Sequence, residues 1–268
     1  MHSPIRFMLS DIDGTLLRPD HSLSQANIDA VRKLRDAGIR FTVASSRPPR
    51  AMRQQIEALG IDLPTVSFNG ANIVNPDGSL LKAHRIDPVA ARTSLDLFAD
   101  QPVSVWVFAD DQWLLLDPLG DYVEHERTTL GYDFVQVQHF DEYIDRIDKI
   151  VAASKDFELL KRLEAQLNPL IADTALAARS QAYYLDVTAL EANKGAALAT
   201  LADALGIPLA QAAAIGDAGN DVAMFARAGL AIAMGQAETG VKSHAHHVTG
   251  SNLEDGLAMA IERYVLPH

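Results

Sequence analysis

The chemically versatile side chains of this chain fall in a few short stretches: Asp11-Ile12-Asp13-Gly14, Ser45-Ser46-Arg47, Asn69-Gly70, Asn193-Lys194 and Gly216-Asp217-Ala218-Gly219-Asn220-Asp221. Asp11, Asp13, Asp217 and Asp221 repel one another if gathered, so their convergence would be costly unless a cation or Lys194 offsets it and the site has a use. A donor set made of oxygen, with no His or Cys in it, suits a hard cation, Mg²⁺ rather than Zn²⁺. Mg²⁺ beside a lysine implies a phosphate. Taken singly, each residue has an ordinary explanation: an Asp after a strand makes a turn or caps a helix, a Lys at a helix start is solvated, and Asp-Gly is a common turn. The chemical reading therefore depends on whether the fold brings the stretches together.

The elements around them suggest that it does. Residues 5–10 are a short apolar run that ends at Asp11. Ser24 opens a helical stretch in which Ile28, Val31 and Leu34 recur until Gly38 stops it. A second strand covers 39–45, a helix covers 50–59 and closes at Gly60, and a third strand over 65–68 leads into Asn69. Alternating strand and helix mean a parallel sheet with helices on its faces. The rhythm changes after about Lys82. Strands at 103–108 and 113–116 flank a four-residue turn at 109–112, a strand covers 149–153, a helix over 157–167 is stopped by Asn168-Pro169, and another strand covers 182–187. From Asn193, a helix N-cap, the α/β rhythm resumes, with a helix closed at Gly206, strands at 212–216 and 230–234, a short helix at 221–226 and a final helix at 253–264. The simplest account is one α/β domain interrupted by an α+β module of about 100 residues. Ligands of open parallel sheets bind at the carboxyl ends of the strands, which is where Asp11, Ser45, Asn69 and Asp217 stand.

Composition narrows the function. The chain has 268 residues, 23 Lys and Arg against 35 Asp and Glu, and a formal net charge of −12. That sign disfavours nucleic acid and anionic membrane as partners. With no cysteine there is no disulfide framework, thiolate metal site or cysteine nucleophile. No apolar run approaches the roughly 18 residues of a membrane span, and residues 1–6 carry no leader-type apolar region, which leads to the expectation of a cytoplasmic protein. His244-Ala245-His246-His247 lacks a carboxylate or cysteine at ligand spacing and reads as a solvated segment. Trp106 and Trp113 read as core of the module, and Arg179 as a surface residue. Oligomeric state is not readable from these patterns.

In their order and spacing, Asp11-Ile12-Asp13-Gly14-Thr15-Leu16, Ser45-Ser46-Arg47-Pro48, Asn69-Gly70-Ala71, Asn193-Lys194-Gly195 and Gly216-Asp217-Ala218-Gly219-Asn220-Asp221-Val222-Ala223-Met224 resemble the motifs of the haloacid dehalogenase-like hydrolases. More narrowly, they resemble the Cof-type branch of sugar-phosphate phosphatases, and the likeness extends through 248–256. The resemblance implies a Rossmann-like parallel-sheet α/β core, residues 1–82 and 185–268, with an inserted α+β cap domain at 83–184. It further implies a Mg²⁺-dependent phosphatase of small phosphomonoesters. Asp11 would be the nucleophile and Asp13 the general acid and base. Mg²⁺ would sit on Asp11, the main-chain carbonyl of Asp13 and Asp217, with Lys194 completing the neutralisation. Ser45, the backbone at Ile12 and Ser46, Lys194 and Asn220 would hold the phosphate, and Asp221 would orient Lys194 or a metal-bound water. Arg47 and Asn69 are candidates for substrate contact, Asn69 equally for a turn or cap amide. Ser46 departs from the pattern, because the family usually has glycine there, and a left-handed backbone at this serine would be strained. Related phosphomutases share the core motifs, so a phosphotransferase is the first rival reading, and a regulatory binding protein with a vestigial site is the second. Residues 83–184 hold nine Lys and Arg against eighteen Asp and Glu, −9 of the −12, which makes the module a poor host for polyphosphates or nucleic acid.

Overall fold

The computed structural model describes residues 4–267; residues 1–3, part of the stretch weighed above for a leader, lie outside the described residues. The chain opens with β1 (Phe7–Asp11), α1 (Gln25–Asp36), β2 (Arg40–Ala44), α2 (Arg53–Leu59), β3 (Thr65–Ser67), β4 (Asn72–Val74) and β5 (Leu80–Ala83). It continues through α3 (Pro88–Ala99), β6 (Ser104–Ala109), β7 (Gln112–Leu115), α4 (Val123–Leu130), β8 (Val135–Gln136), β9 (Ile147–Ala153), α5 (Phe157–Ile171), β10 (Ala175–Gln181) and β11 (Tyr184–Ala189). It ends with α6 (Lys194–Ala204), β12 (Ala212–Gly216), α7 (Val222–Phe225), β13 (Leu230–Ala233), α8 (Thr239–Lys242), β14 (His247–Val248) and α9 (Gly256–Ala260). Two compact units result, Met1–Ser46, Met52–Leu81 and Asn193–His268 in one, Arg47–Ala51 and Lys82–Ala192 in the other.

The first unit is a mixed α/β fold around a sheet ordered β14-β13-β12-β1-β2-β3-β4-β5. From β14 to β3 every pairing is parallel, and β4 returns antiparallel to β3, with Thr65 opposite Val74. β1 and β12 are buried along their whole length, as parallel strands covered on both faces must be. Each cap read from the sequence forms. Ser24 accepts the N–H of Asn27 at 3.2 Å, Asn193 accepts that of Ala196 at 2.8 Å, and Gly60 closes α2 in the left-handed conformation. β4 and β5 have no counterpart in the sequence reading, because strands this short carry too little periodicity to register. The final helix is an α-turn that widens into a π-helical turn over Ile261–Val265.

The second unit is built on a sheet ordered β10-β11-β9-β6-β7-β8, antiparallel except where β8 runs along β7. α3 and α5 cover one face, with Phe98, Leu160, Leu163 and Leu167 packed on Val107, Leu114, Ile150 and Leu185. Trp106 and Trp113 are fully buried and meet edge to face at 5.6 Å, in keeping with a core role, and Arg179 pairs with Glu164 at 2.6 Å. Three expectations need correction. The turn between β6 and β7 has two residues, Asp110 and Asp111, both with positive φ, the geometry whose twist matches that of the flanking strands. α5 does not stop at Asn168-Pro169 but runs to Ile171. Pro169 removes one helical hydrogen bond, yet Ile171 stays buried on the apolar face, and the Asn168 side chain ties the turn to both backbone groups of Ala177 at 2.9 and 3.0 Å. Finally, this unit reaches Ala192 rather than residue 184, because β11 pairs with both β9 and β10.

Leu160 is fully buried between α5 and the sheet. Leu160→Ala should therefore destabilise the second unit by about 2–5 kcal/mol, read as an earlier midpoint of urea unfolding followed by tryptophan fluorescence. An unchanged midpoint would show that this packing does not hold the unit together.

Candidate active site

The strand order of the first unit reverses direction beside β1: the chain moves outward through β2 and β3, then returns on the other side at β12. Such a switch point opens a crevice at the carboxyl ends of the two strands. Asp11 is the last residue of β1 and Asp217 follows β12 directly. After Asp11 the backbone turns tightly, the carbonyl of Ile12 accepting the N–H groups of Leu16 and Leu17 at 3.0 Å. Gly14 makes this turn with φ +81, and a β-carbon there would lie 2.4 Å from the Asp217 carboxylate. Only glycine satisfies both conditions.

Lys194, the first residue of α6, is completely buried. Its Nζ donates to Asp11 Oδ1 at 2.5 Å and to Asp221 Oδ1 at 2.7 Å. Asp221 Oδ2 in turn accepts the N–H groups of Asp217 and Ala218 at 2.9 and 3.0 Å. This folded-back carboxylate needs Gly216 behind it, where a β-carbon would sit 2.3 Å from Asp221 Cγ. Thr15 Oγ1 donates to Asp217 Oδ1 at 3.3 Å. Burial raises the Asp11 carboxyl well above the usual range, against the pull of Lys194. Burial also disfavours the Lys194 ammonium, but Asp11 and Asp221 outweigh it and hold the charge in place. Asp217 is pushed up to about 6, first by burial and then by the charge of Asp221.

Side-chain oxygens of Asp11, Asp217 and Asp221 lie within 4.8 Å of one another. Three carboxylates share one ammonium, so the cluster is short of positive charge, and all its donors are oxygen. A divalent hard cation fits that deficit and that donor set. Because both oxygens of Asp221 are already engaged by Lys194 and by backbone N–H groups, Asp11 and Asp217 are the side chains able to ligate. The Asp13 side chain stands outside this cluster and is half-exposed.

Ser45 is buried at the end of β2, with its N–H on the Val66 carbonyl at 2.9 Å and its carbonyl on the Asn69 N–H at 2.8 Å. Ser46 is half-buried, and positive φ falls on Phe68 and Asn69 but not on Ser46, so the serine in place of glycine carries no left-handed strain. Asn220 Nδ2 donates to Asn69 Oδ1 at 2.9 Å, which brings two of the proposed contact residues together. Arg47 falls with the second unit, its Nη1 3.5 Å from the Ala51 carbonyl.

Sequence reasoning missed the residues that hold the turn after Asp11. Gln236 Nε2 donates to the Gly14 carbonyl at 2.5 Å, Asn252 Nδ2 to that of Leu17 at 2.9 Å, and Asn27 Nδ2 to that of Leu16 at 2.9 Å. Arg18 pairs with Asp255 at 2.9 Å. Asn27 left a signal, an amide on the buried face of α1 beside Ala30, Val31 and Leu34. The histidine tract holds no metal cluster among the described residues. It is less idle than a solvated segment, however: His246 Nδ1 accepts the Ala231 N–H at 2.9 Å, and His247 stacks on Tyr264.

Comparison with known proteins places these residues in context. The model of the haloacid dehalogenase-like hydrolase family matches residues 8–261. An HMP-PP phosphatase of Citrobacter koseri is 32% identical over 233 residues, 87% of this chain and 85% of that protein. The crystal structure of a haloacid dehalogenase-like hydrolase from Bacteroides thetaiotaomicron superposes with a TM-score of 0.89 at 25% identity, covering 97% of this chain and 99% of the other. A subclass IIB sugar phosphatase shares the fold with a TM-score of 0.84 at 23% identity, over 97% and 98% of the two chains.

The raised Asp217 carboxyl sets a pH test. Its folded value, about 6, lies above the ordinary 3.8, so below 3.8 it is protonated folded or unfolded, and above 6 its ionised form costs the folded state. Asp217→Asn should raise the thermal midpoint of the metal-free protein by about 2–6 °C at pH 8. The gain should shrink as pH falls through 6 and disappear near pH 4. Calorimetry across that range checks it, and a gain that grows towards acid would reverse the assignment. No helix among the described residues is long and apolar enough to cross a membrane.

Proposed function

The chain belongs to the haloacid dehalogenase-like hydrolases and is a phosphatase, and from that premise we propose that it hydrolyses small phosphorylated metabolites, sugar phosphates foremost, through an aspartyl-phosphate on Asp11 with the help of Mg²⁺. The observation that carries this reading is the buried Lys194 clamped between Asp11 and Asp221, with Asp217 beside them. Lys194 engages only Oδ1 of Asp11 and leaves Oδ2 for attack.

A carboxylate and a phosphate dianion at ~4 Å repel by roughly 8 kcal/mol at an effective dielectric near 20, so the attack needs positive charge already in place. Lys194 supplies one such charge from a position fixed before substrate arrives. Mg²⁺, held by Asp11, the Asp13 main-chain carbonyl and Asp217, supplies the remaining neutralisation when bound. Asp11 Oδ2 forms the new bond to phosphorus as the bond to the leaving alcohol breaks, and Asp13 gives its proton to the departing oxygen. Asp13 then takes a proton from water as that water bonds to phosphorus and the acyl-phosphate bond to Asp11 Oδ2 breaks, which releases phosphate and restores both residues. Ser45, the N–H groups of Ile12 and Ser46, and Asn220 hold the phosphate oxygens, with Asn69 and Arg47 on the rest of the substrate. Asp221 keeps Lys194 in place. On the same reading the inserted unit acts as the cap that selects the leaving group, and its acidity favours substrates with a single phosphoryl group. The reaction runs in the cytoplasm.

A panel of phosphorylated metabolites with Mg²⁺, ranked by kcat/KM, should return free phosphate, and EDTA should abolish it until Mg²⁺ is restored. Isomerised ester without free phosphate from a hexose 1-phosphate would convert the reading to a phosphomutase. Asp11→Asn should lower turnover by roughly 10³-fold or more, and acid-quenched wild-type protein should carry one phosphoryl group on the peptide containing Asp11. Undiminished turnover of p-nitrophenyl phosphate by Asp11→Asn would remove Asp11 as nucleophile.

A further inference from the structure

The turn that follows the catalytic loop returns a histidine to Asp13. Arg18 N–H donates to the Ser22 carbonyl at 3.0 Å and His21 N–H to the Arg18 carbonyl at 2.9 Å, closing a hairpin over residues 18–22. Asp20 Oδ1 accepts both the N–H and the hydroxyl of Ser22, at 3.0 and 2.6 Å, which bends the chain around His21. Within this turn His21 has φ +61, a left-handed conformation uncommon for residues other than glycine. The hairpin is also anchored, by Asn252 on the Leu17 carbonyl and Arg18 on Asp255. The result is His21 Nδ1 at 3.6 Å from Asp13 Oδ1.

Stability does not explain the arrangement. The two side chains are 63% and 39% exposed, and an ion pair so open to solvent contributes little, while the left-handed histidine works against the fold. On the reading of Asp13 as general acid, we propose that His21 is a positioning residue for this reaction. The imidazole, 3.6 Å from the Asp13 carboxylate, attracts it across a gap longer than a hydrogen bond and so biases where that carboxyl rests relative to the leaving oxygen, and the anchored hairpin sets the place of the imidazole.

General acid help matters for a poor leaving group and not for p-nitrophenolate, and kcat/KM reports only the steps up to loss of the leaving group. His21→Gly suits the backbone and removes only the imidazole. It should lower kcat/KM for the best alkyl phosphate of the panel by about ten- to a hundredfold and leave that for p-nitrophenyl phosphate within about twofold. His21→Asn tolerates the same φ and offers an amide N–H near the place of Nδ1, so it should recover most of the loss. Equal effects on the two substrates, or none on either, would overturn the proposal. A wild-type protein that hydrolyses neither substrate would overturn the phosphatase mechanism instead. A crystal structure of His21→Gly then decides the positioning separately: a displaced or disordered Asp13 carboxyl upholds it, and an unmoved one overturns it.

Discussion

A lysine with no exposed surface organises the first unit. The ammonium of Lys194 can be buried only where it is paired and hydrogen-bonded, and Asp11 and Asp221 meet that condition from opposite ends of the chain. Asp11 ends β1, Lys194 starts α6, and Asp221 folds back after β12, so one nitrogen ties two adjacent strands and a helix at a single sheet edge. Removing either carboxylate would leave a buried charge half-compensated, which is far more costly than losing a surface pair. The cluster is therefore rigid before any ligand enters it.

The glycines show how much backbone that rigidity required. Gly14 lets the main chain turn beneath Asp217, and Gly216 lets Asp221 curl back onto the N–H groups of Asp217 and Ala218. Around this centre the contacts loosen by degrees, from the fully buried Lys194 through the partly buried Asp217 to the half-exposed Asp13. The gradation matches the division of labour proposed above, in which groups that stabilise charge stay fixed and the group that moves protons meets solvent.

Much of this was legible in the sequence because it is written locally. Ser24, Asn193, Gly60 and Gly206 mark helix ends by their own chemistry, and Asp11, Asp217 and Lys194 follow strands or open helices whose parallel arrangement forces convergence. What stayed hidden depends on partners distant in the chain. Nothing in the spacing of Gln236 or Asn252 announces that they hold the loop after Asp11, and His21 looks like any turn residue until the hairpin folds it onto Asp13. Pro169 reads locally as a helix stop, because its rule is strong, but burial of Ile171 and the Asn168 bridge to Ala177 outweigh one lost hydrogen bond. The two-residue turn at Asp110-Asp111 escaped because aspartate is a less telling left-handed residue than glycine or asparagine.

The clamps on the loop after Asp11 also set an order of events in folding. Lys194 lies 183 residues after Asp11, Gln236 222 residues after Gly14 and Asn252 235 residues after Leu17. Until those segments dock, β1 lacks its neighbour β12 and the loop after it lacks its fastenings. A chain cut before Gln236 and Asn252 could still pair Asp11 with Lys194 and Asp221, but the loop after Asp11 would lack two of its fastenings.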